Sequence, residues 1–102
     1  MRTQVAKRRF RVSRAARQDL LRIGQFTERR WGKAKRNHYL GQLDEAFGLI
    51  GQNAAIGNSC DEICPGYRKF SEGSHVIYYR VTDRVEIIRI LHERMDPDTH
   101  LP

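Results

Sequence analysis

The sequence has few of the features that mark catalytic, secreted or membrane-spanning proteins. Its 102 residues include two cysteines and three prolines, and no apolar run approaches the roughly 20 residues that cross a bilayer. The basic start of the chain, residues 1–10, is not followed by an apolar core, so it does not resemble a secretory signal. No Ser-His-Asp set, phosphate-binding loop or cage of metal ligands is apparent. These absences favour a cytoplasmic protein without a cofactor.

The two cysteines give little indication of a metal site. Cys60 and Cys64 form a C-x3-C pair, and the chain has no second pair of cysteines. A structural zinc site usually needs four ligands, and His75 and His92 have no evident third partner. We therefore interpret the cysteines as a reduced dithiol of the cytoplasm and predict no metal site.

The charge of the chain is unevenly distributed. A chain of this length forms one domain, residues 1–102. Residues 1–40 contain 13 lysines and arginines against Asp19 and Glu28, a net charge of +11, whereas residues 41–102 carry −4. A single helical arginine is usually solvated, but the asymmetry as a whole predicts an anionic partner, either nucleic acid or an acidic polypeptide.

The first half of the chain predicts a strand and two helices. Residues 8–13 alternate basic and apolar side chains, which is typical of a strand. Ser13 is a suitable N-cap for a helix that runs to about Trp31, and Gly32 suits the position after its end. A second helix is predicted over Lys33–Gln52. The predicted buried stripes are Ala16, Leu20, Ile23 and Phe26 on the first helix and Leu40, Leu43, Phe47 and Ile50 on the second.

The second half predicts a loop and an antiparallel meander. Residues 53–66 form the loop, which we expect Ile56 and Ile63 to hold against the core. Strands are predicted over Tyr67–Ser71, Ser74–Thr82 and Val85–Glu93, joined by two tight turns. In the last strand, Ile88 and Ile90 are expected on one face and Val85, Ile87, Arg89 and Leu91 on the other. The fold class is therefore α+β, in the order β-α-α-β-β-β, with a helical hairpin packed on a small antiparallel sheet.

The meander is rich in side chains that could bind an anion or transfer a proton. They are Tyr67, Arg68, Lys69, His75, Tyr78, Tyr79, Arg80, Arg89, His92 and Arg94. A ribonuclease that acts without a metal needs a base, an acid and cations over the scissile phosphate, and these residue types can supply them. The same residues would also make an ordinary strand surface, with Tyr78 and Tyr79 on opposite faces. Their spacing does not separate the two interpretations.

Short motifs along nearly the whole chain together carry a resemblance. They are Ser13 with Ala16, Asp19-Leu20 and Ile23; Phe26-Thr27 with Trp31-Gly32; Tyr39, Leu43 and Ala46-Phe47; Gly57 and Ile63; Gly66-Tyr67-Arg68; residues 73–79; and residues 89–96, RILHERMD, the most specific. With these motifs the chain resembles the ParE branch of the RelE/ParE toxin superfamily of bacterial type II toxin–antitoxin modules. One departure is that the proline usually found shortly before Gly57 is missing.

The resemblance implies a function and two partners. It implies a ParD-type antitoxin, in which an acidic, partly disordered segment is attached to a DNA-binding dimer. It also implies that the free toxin blocks DNA gyrase. RelE-type ribonucleases carry a C-terminal tyrosine, and residues 95–102 contain none, which weighs against RNA cleavage. A ribosome-dependent mRNA interferase remains the alternative, and a corepressor that reaches operator DNA only through the antitoxin is a third possibility.

Two sets of residues are the candidates for these contacts, and no catalytic residue is predicted. We expect the antitoxin to bind the basic helical hairpin through Arg14, Arg17, Arg22, Arg29 and Trp31. We expect gyrase to contact the sheet and the tail through Arg80, Arg89, His92, Arg94 and Met95.

Overall fold

The chain folds as a helical hairpin on a mixed sheet. The computed structural model describes residues 10–102, so the first two residues of the predicted opening strand, Arg8 and Arg9, lie outside the described part. The elements are β1 Phe10–Val12, α1 Arg14–Trp31, α2 Lys33–Gln52, a 3-10 turn Ala54–Ile56, β2 Asn58–Ser59, β3 Tyr67–Glu72, β4 His75–Val81, β5 Val85–His92 and α3 Pro97–His100. The predicted α+β class is confirmed, and β2 and α3 are additions to the predicted order.

Two residues set the ends of the helical hairpin. The Ser13 hydroxyl accepts a hydrogen bond from the Ala16 backbone N–H at 3.0 Å and donates one to the Ile88 carbonyl at 2.8 Å. Gly32 has a φ of 93°, in the region that favours glycine, and its N–H donates to the Glu28 carbonyl. Helix α2 begins at the next residue. Both predicted helices are therefore confirmed.

The sheet contains five strands in the order β1-β5-β4-β3-β2. The predicted antiparallel meander is confirmed in β3, β4 and β5. Strand β1 pairs in parallel with β5, with Phe10 beside Val85 and Val12 beside Ile87. The two helices that follow β1 pack on one face of the sheet. The hairpin therefore covers that face.

The main core lies between the hairpin and this face of the sheet. Its buried members include Ala16, Ile23, Leu43, Ala46, Phe47, Ile50, Ile77, Tyr79, Val85, Ile87 and Ile90. Most of the predicted helical stripes are confirmed, with Leu20 and Leu40 partly buried against this core. The prediction for Phe26 is wrong, because its side chain is 51% exposed. It lies on the flank of the helix, beyond the part of α1 that the sheet covers.

A β-bulge changes the predicted faces of the last strand. Tyr78 pairs with Arg89 whereas Tyr79 pairs with Ile87, so Ile88 is the extra residue. The alternation shifts by one position after it, and Ile87 and Ile90 therefore both pack in the main core. The prediction that they face opposite ways is wrong, and Ile88 packs with Leu91 on the other face instead.

The other face of the sheet carries a second, smaller apolar cluster. Cys60, Tyr67, Tyr78 and Leu91 are its buried members, and Ile63, Cys64 and Leu101 pack against them. The loop before β3 and the C-terminal tail thus cover this face. Ile63 therefore packs as predicted, whereas the prediction for Ile56 is wrong, since it is 39% exposed. Tyr78 and Tyr79 point to opposite faces as expected, and both are buried.

The start of this loop is held by Tyr79. Its hydroxyl donates to the Ala54 carbonyl at 2.6 Å and accepts from the Gly57 backbone N–H at 3.0 Å. A Cβ atom at position 57 would lie 2.5 Å from the Lys69 carbonyl oxygen, so the close approach requires glycine. The next two residues then pair with β3 as strand β2.

Two features are absent from residues 10–102. None of the helices formed by these residues is both long and apolar enough to cross a bilayer. Within the same range, no three His, Cys, Asp or Glu side chains are grouped so that they could hold a metal ion. Cys60 and Cys64 are free thiols, and burial raises the pKa of Cys60.

Candidate partner-binding groove

An open groove of about 870 Å³ lies between the two helices and one end of the sheet. Strand β4 begins and β5 ends at this place, so side chains of both strands meet those of the helices. The lining residues are Asp19, Arg22, Ile23, Phe26, Thr27, Arg30 and Trp31 of α1, Lys35, His38, Tyr39 and Gln42 of α2, and Ser74, His75, Ile90, His92 and Met95 of the sheet and tail. We call this surface the groove.

The groove has an apolar part with half-exposed aromatic side chains. Phe26 is 51% exposed, Trp31 is 55% exposed and Met95 is 38% exposed. The two aromatic rings meet edge to face with their centroids 6.3 Å apart. The Arg30 guanidinium lies 5.3 Å from the Trp31 ring centroid and 5.9 Å from that of Phe26. Aromatic residues, methionine and arginine are the residue types enriched at protein–protein interfaces.

The charge around the apolar part is mostly positive. Arg22, Arg30 and Lys35 contribute cations to the lining, and Asp19 is the one acidic side chain that the described residues place there. Asp19 is itself bound by arginines and so adds little negative charge. The groove therefore presents an apolar surface beside cations, which fits an acidic amphipathic segment.

Asp19 joins helix α1 to the sheet and is 4% exposed. Its carboxylate accepts hydrogen bonds from Arg89 Nε at 2.8 Å and Arg89 Nη2 at 2.9 Å, and from the Ile90 backbone N–H at 2.9 Å. Arg22 adds a more exposed partner at 3.0 Å. The bond to Asp19 raises the pKa of Arg89, which also donates through Nη1 to the His100 carbonyl. This buried ion pair fixes the inner wall of the groove.

Three polar side chains meet at the sheet end of the groove. The Tyr39 hydroxyl lies 2.6 Å from His75 Nδ1, and it is also bonded to the Ser74 backbone N–H at 3.2 Å. The rings of His75 and His92 meet at right angles with centroids 5.4 Å apart. Burial, and secondarily the neighbouring His92, lowers the pKa of His75. The groove thus has an aromatic end and an imidazole end.

Comparison with known families decides the class of this protein. The family model described as "ParE toxin of type II toxin-antitoxin system, parDE" matches residues 10–97. This chain belongs to the ParE toxin family. Its relatives include Toxin ParE1 of Mycobacterium tuberculosis, 44% identical over 91% of this chain and 97% of that protein. Another is Toxin ParE1 of Caulobacter vibrioides, 39% identical over 90% of this chain and 96% of that protein.

A solved structure agrees with the ParE fold. A chain of the "Chromosomal ParDE TA system from P. aeruginosa" matches with a TM-score of 0.71, covering 81% of this chain and 92% of that one. The two are 22% identical in sequence, so the match concerns the fold alone. The fold implied by the ParE resemblance is therefore confirmed.

In this ParE-family chain, the five residues expected to bind the antitoxin are not on one surface. Arg22 and Trp31 line the groove. Arg14, Arg17 and Arg29 are exposed on α1 but lie outside the lining. The helix turns by about 100° per residue, so arginines spread along it cannot all face one groove.

The residues expected to contact gyrase also lie in different places, some in the groove and some outside it. His92 and Met95 line the groove, and Arg94 is exposed just after β5. Arg80 is paired with Glu86, whose pKa is lowered by hydrogen bonds from Arg11 and Arg80. Arg89, which we expected to contact gyrase, is only 16% exposed, and its side chain is bound to Asp19. Strand alternation missed this because the bulge redirects the residues around it.

Several groove residues were not among the predicted contacts. Phe26 falls on the predicted buried stripe, and Tyr39 appears in the sequence only as part of the motif with Leu43 and Ala46-Phe47. Asp19 carried a usable signal, since an acid three residues after Ala16 falls on the buried side of the helix. Its partner Arg89 is 70 residues away, and no local pattern connects the two.

Proposed function

We propose that this ParE-family toxin inhibits DNA gyrase by binding to it, without catalysis, in the cytoplasm. We further propose that a ParD-type antitoxin neutralises the toxin by placing an acidic segment in the groove. Operator DNA would be reached only through that antitoxin, and no membrane takes part. The family membership supports the toxin role, and the groove supports the mode of neutralisation.

The observation that carries the antitoxin proposal is the combination of exposed aromatics and cations in one groove. Phe26 and Trp31 leave half of their surface to solvent beside Arg22, Arg30 and Lys35. Tryptophan and arginine are the residue types that most often dominate binding energy at interfaces. An antitoxin segment with apolar side chains on one side and carboxylates on the other would bury the rings and neutralise the cations.

The arginines outside the groove have a different role in this proposal. Arg14, Arg17 and Arg29 lie outside the groove lining, but their charge adds to the positive field of the hairpin. Such a field accelerates the encounter with an acidic partner and is weakened by salt. We therefore assign Arg22 and Trp31 to contact and these three to electrostatic steering.

The proposed antitoxin surface and the proposed gyrase surface overlap, and this overlap would explain how the antitoxin neutralises the toxin. His92 and Met95, candidates for the gyrase contact, also line the groove. An antitoxin segment in the groove would cover them, and Arg80 and Arg94 would extend the gyrase surface beyond it. Arg89 is bound to Asp19 and to the tail carbonyl, so we propose that it positions this surface rather than contacting gyrase directly.

One observation favours the alternative, a ribosome-dependent mRNA interferase. The Tyr39–His75 pair lies in the groove, whose lining also includes Arg22, and could transfer a proton. However, the Tyr39 hydroxyl is also within hydrogen-bond distance of the Glu72 carbonyl and the Ser74 N–H, which gives it a structural role. Arg80 and Arg89 on the sheet are each held by a carboxylate rather than free for a phosphate. We therefore rank RNA cleavage second.

Two parallel assays on toxin freed of its antitoxin test the proposal. We expect purified gyrase to lose supercoiling activity in its presence, and mRNA on translating ribosomes to remain intact. Arg94→Glu and Met95→Ala should weaken gyrase inhibition, whereas the matched change Leu49→Ala, at an exposed position on α2, should not. Codon-specific mRNA cuts with unchanged gyrase activity would overturn the proposal in favour of the interferase.

A further inference from the structure

His75 and His92 form a pair at the sheet end of the groove, which we call the histidine pair. Their residues are directly opposite each other on β4 and β5, and both line the groove. His92 Nδ1 accepts a hydrogen bond from the Arg94 backbone N–H at 3.1 Å, so the proton of neutral His92 is on Nε2. His75 Nδ1 faces the Tyr39 hydroxyl at 2.6 Å, which can donate or accept. His75 can therefore gain a proton and keep its contact with Tyr39, whereas a proton on His92 Nδ1 would displace the hydrogen bond from Arg94.

We propose that the histidine pair binds a carboxylate of the acidic antitoxin segment, and that this contact takes up a proton. The toxin–antitoxin complex then tightens as the pH falls from 8 to 6. This inference rests on the proposed function, because it requires an acidic occupant in the groove. The inference adds two details to that function. One acidic side chain of the antitoxin has a defined position, and the affinity for the antitoxin depends on pH.

The charges around the histidine pair leave it available for such a contact. The ionisable groups that face it or share its part of the groove are Asp19 and Arg22 of α1, Lys35, His38 and Tyr39 of α2, Glu72 of β3, which pairs with His75, and Glu93 and Arg94 after β5. The Asp19 carboxylate is already bonded to Arg22, Arg89 and a backbone N–H. Glu93 is exposed to solvent. None of the carboxylates of Asp19, Glu72 and Glu93 has a hydrogen bond to the pair among the described residues.

The direction of the pH effect follows from the free toxin. Burial and the neighbouring His92 lower the pKa of His75, more than Glu93 and Asp19 raise it, so His75 is neutral at pH 7. A carboxylate brought within about 4–6 Å raises the pKa of an imidazole. The complex then holds more protons than its separated parts, and its affinity increases as the pH falls. Two charged rings so close would repel each other, so we expect an uptake of at most one proton.

Titration calorimetry of the wild-type toxin with its cognate ParD-type antitoxin tests the inference directly. The dissociation constant should fall by about threefold to tenfold between pH 7.5 and 6, since one proton taken up gives at most tenfold per pH unit. The apparent binding heat at pH 6.5 should also differ between phosphate and Tris buffers, because the absorbed proton comes from the buffer. This second measurement needs no variant.

Substitutions of the two histidines test whether the pH dependence of antitoxin binding arises at the histidine pair. His75→Gln and His92→Gln should each flatten the pH dependence while binding remains measurable at pH 8. His100→Gln is the matched control, because this histidine lies in α3 outside the groove lining. A 20-residue polyglutamate peptide is the control partner, since it has the charge but no apolar side chains and should bind far more weakly.

The outcomes separate this inference from the proposed function. Binding that is tight but equally strong at pH 8 and pH 6, with no buffer dependence of the heat, would overturn the histidine proposal alone. A pH dependence that persists in both histidine variants would overturn it as well. Absence of antitoxin binding at every pH would overturn the proposed function together with this inference.

Discussion

The helical hairpin meets the sheet at two ends, and each end contains a pair of aromatic rings packed edge to face. At one end Phe10 and Phe47 have ring centroids 5.6 Å apart and are 8% and 2% exposed. At the other end Phe26 and Trp31 have centroids 6.3 Å apart and are both about half exposed. Similar pairs thus contribute to the core at one end and to an open surface at the other.

The difference shows that coverage, not residue type, separates core from binding surface in this fold. Strand β1 supplies Phe10 and completes the packed end. At the groove, none of the described elements covers the outer sides of Phe26 and Trp31. The hairpin therefore gains most of its stability at the Phe47 end, and it presents unused apolar surface at the Trp31 end.

Phe47→Ala should have the largest effect on stability and should break the packed end. Removing a phenylalanine that is 2% exposed leaves a cavity, and such changes cost about 3–5 kcal/mol. Urea denaturation of the free toxin measures the loss. Leu49→Ala on the same helix, where the side chain is 50% exposed, is the control and should change the free energy of unfolding by less than about 1 kcal/mol. An unchanged midpoint for Phe47→Ala would contradict the packing described above.

Asp19→Asn should weaken the connection between helix α1 and the sheet. An amide cannot form the ion pair with Arg89, and the arginine is left buried without its counter-charge, at a cost of about 3 kcal/mol. Arg22→Gln is the matched control, because it removes only the exposed partner of the same carboxylate and should cost about 1 kcal/mol or less. Thermal unfolding of both variants provides the comparison, and equal losses would show that the Arg89 pair contributes little.

Trp31→Ala should affect the groove and leave the fold intact. The free energy of unfolding should change by less than about 1 kcal/mol, because the ring is half exposed. Affinity for the antitoxin should fall by about 2 kcal/mol, as expected for an aromatic hot spot. Leu21→Ala, at a position 61% exposed on α1 but outside the groove, should bind like the wild type. Full affinity of Trp31→Ala would place the antitoxin elsewhere.

Local signals were sufficient to predict the element boundaries. Ser13 and Gly32 are a capping residue and a left-handed glycine, and both act within one turn of the helix. The tight turns before His75 and Val85 likewise depend on neighbouring residues. For this reason the two helices and the three strands of the meander were predicted with nearly their observed bounds.

Contacts between distant segments were not predictable in this way. The bulge at Ile88 depends on how β5 aligns with β4, and helical periodicity cannot say whether the flank that carries Phe26 is covered. The Asp19–Arg89 pair spans 70 residues. The pairing of β2 depends on the hydroxyl of Tyr79, 22 residues after Gly57. The groove is built from such contacts, and only part of it was found from the sequence.

The docked tail has a practical consequence for any experiment that alters the end of the chain. Leu101 packs against the cluster on the outer face of the sheet, and Arg89 is bonded to the His100 carbonyl. The Pro102 carbonyl oxygen lies 3.8 Å from the Cys64 sulfur. An affinity tag fused after Pro102 would begin against this cluster, and removal of the tail would uncover it. If toxicity were lost in either case, damage to the target-binding surface could not be told apart from a less stable sheet. Single substitutions are therefore the better test of the residues in this tail.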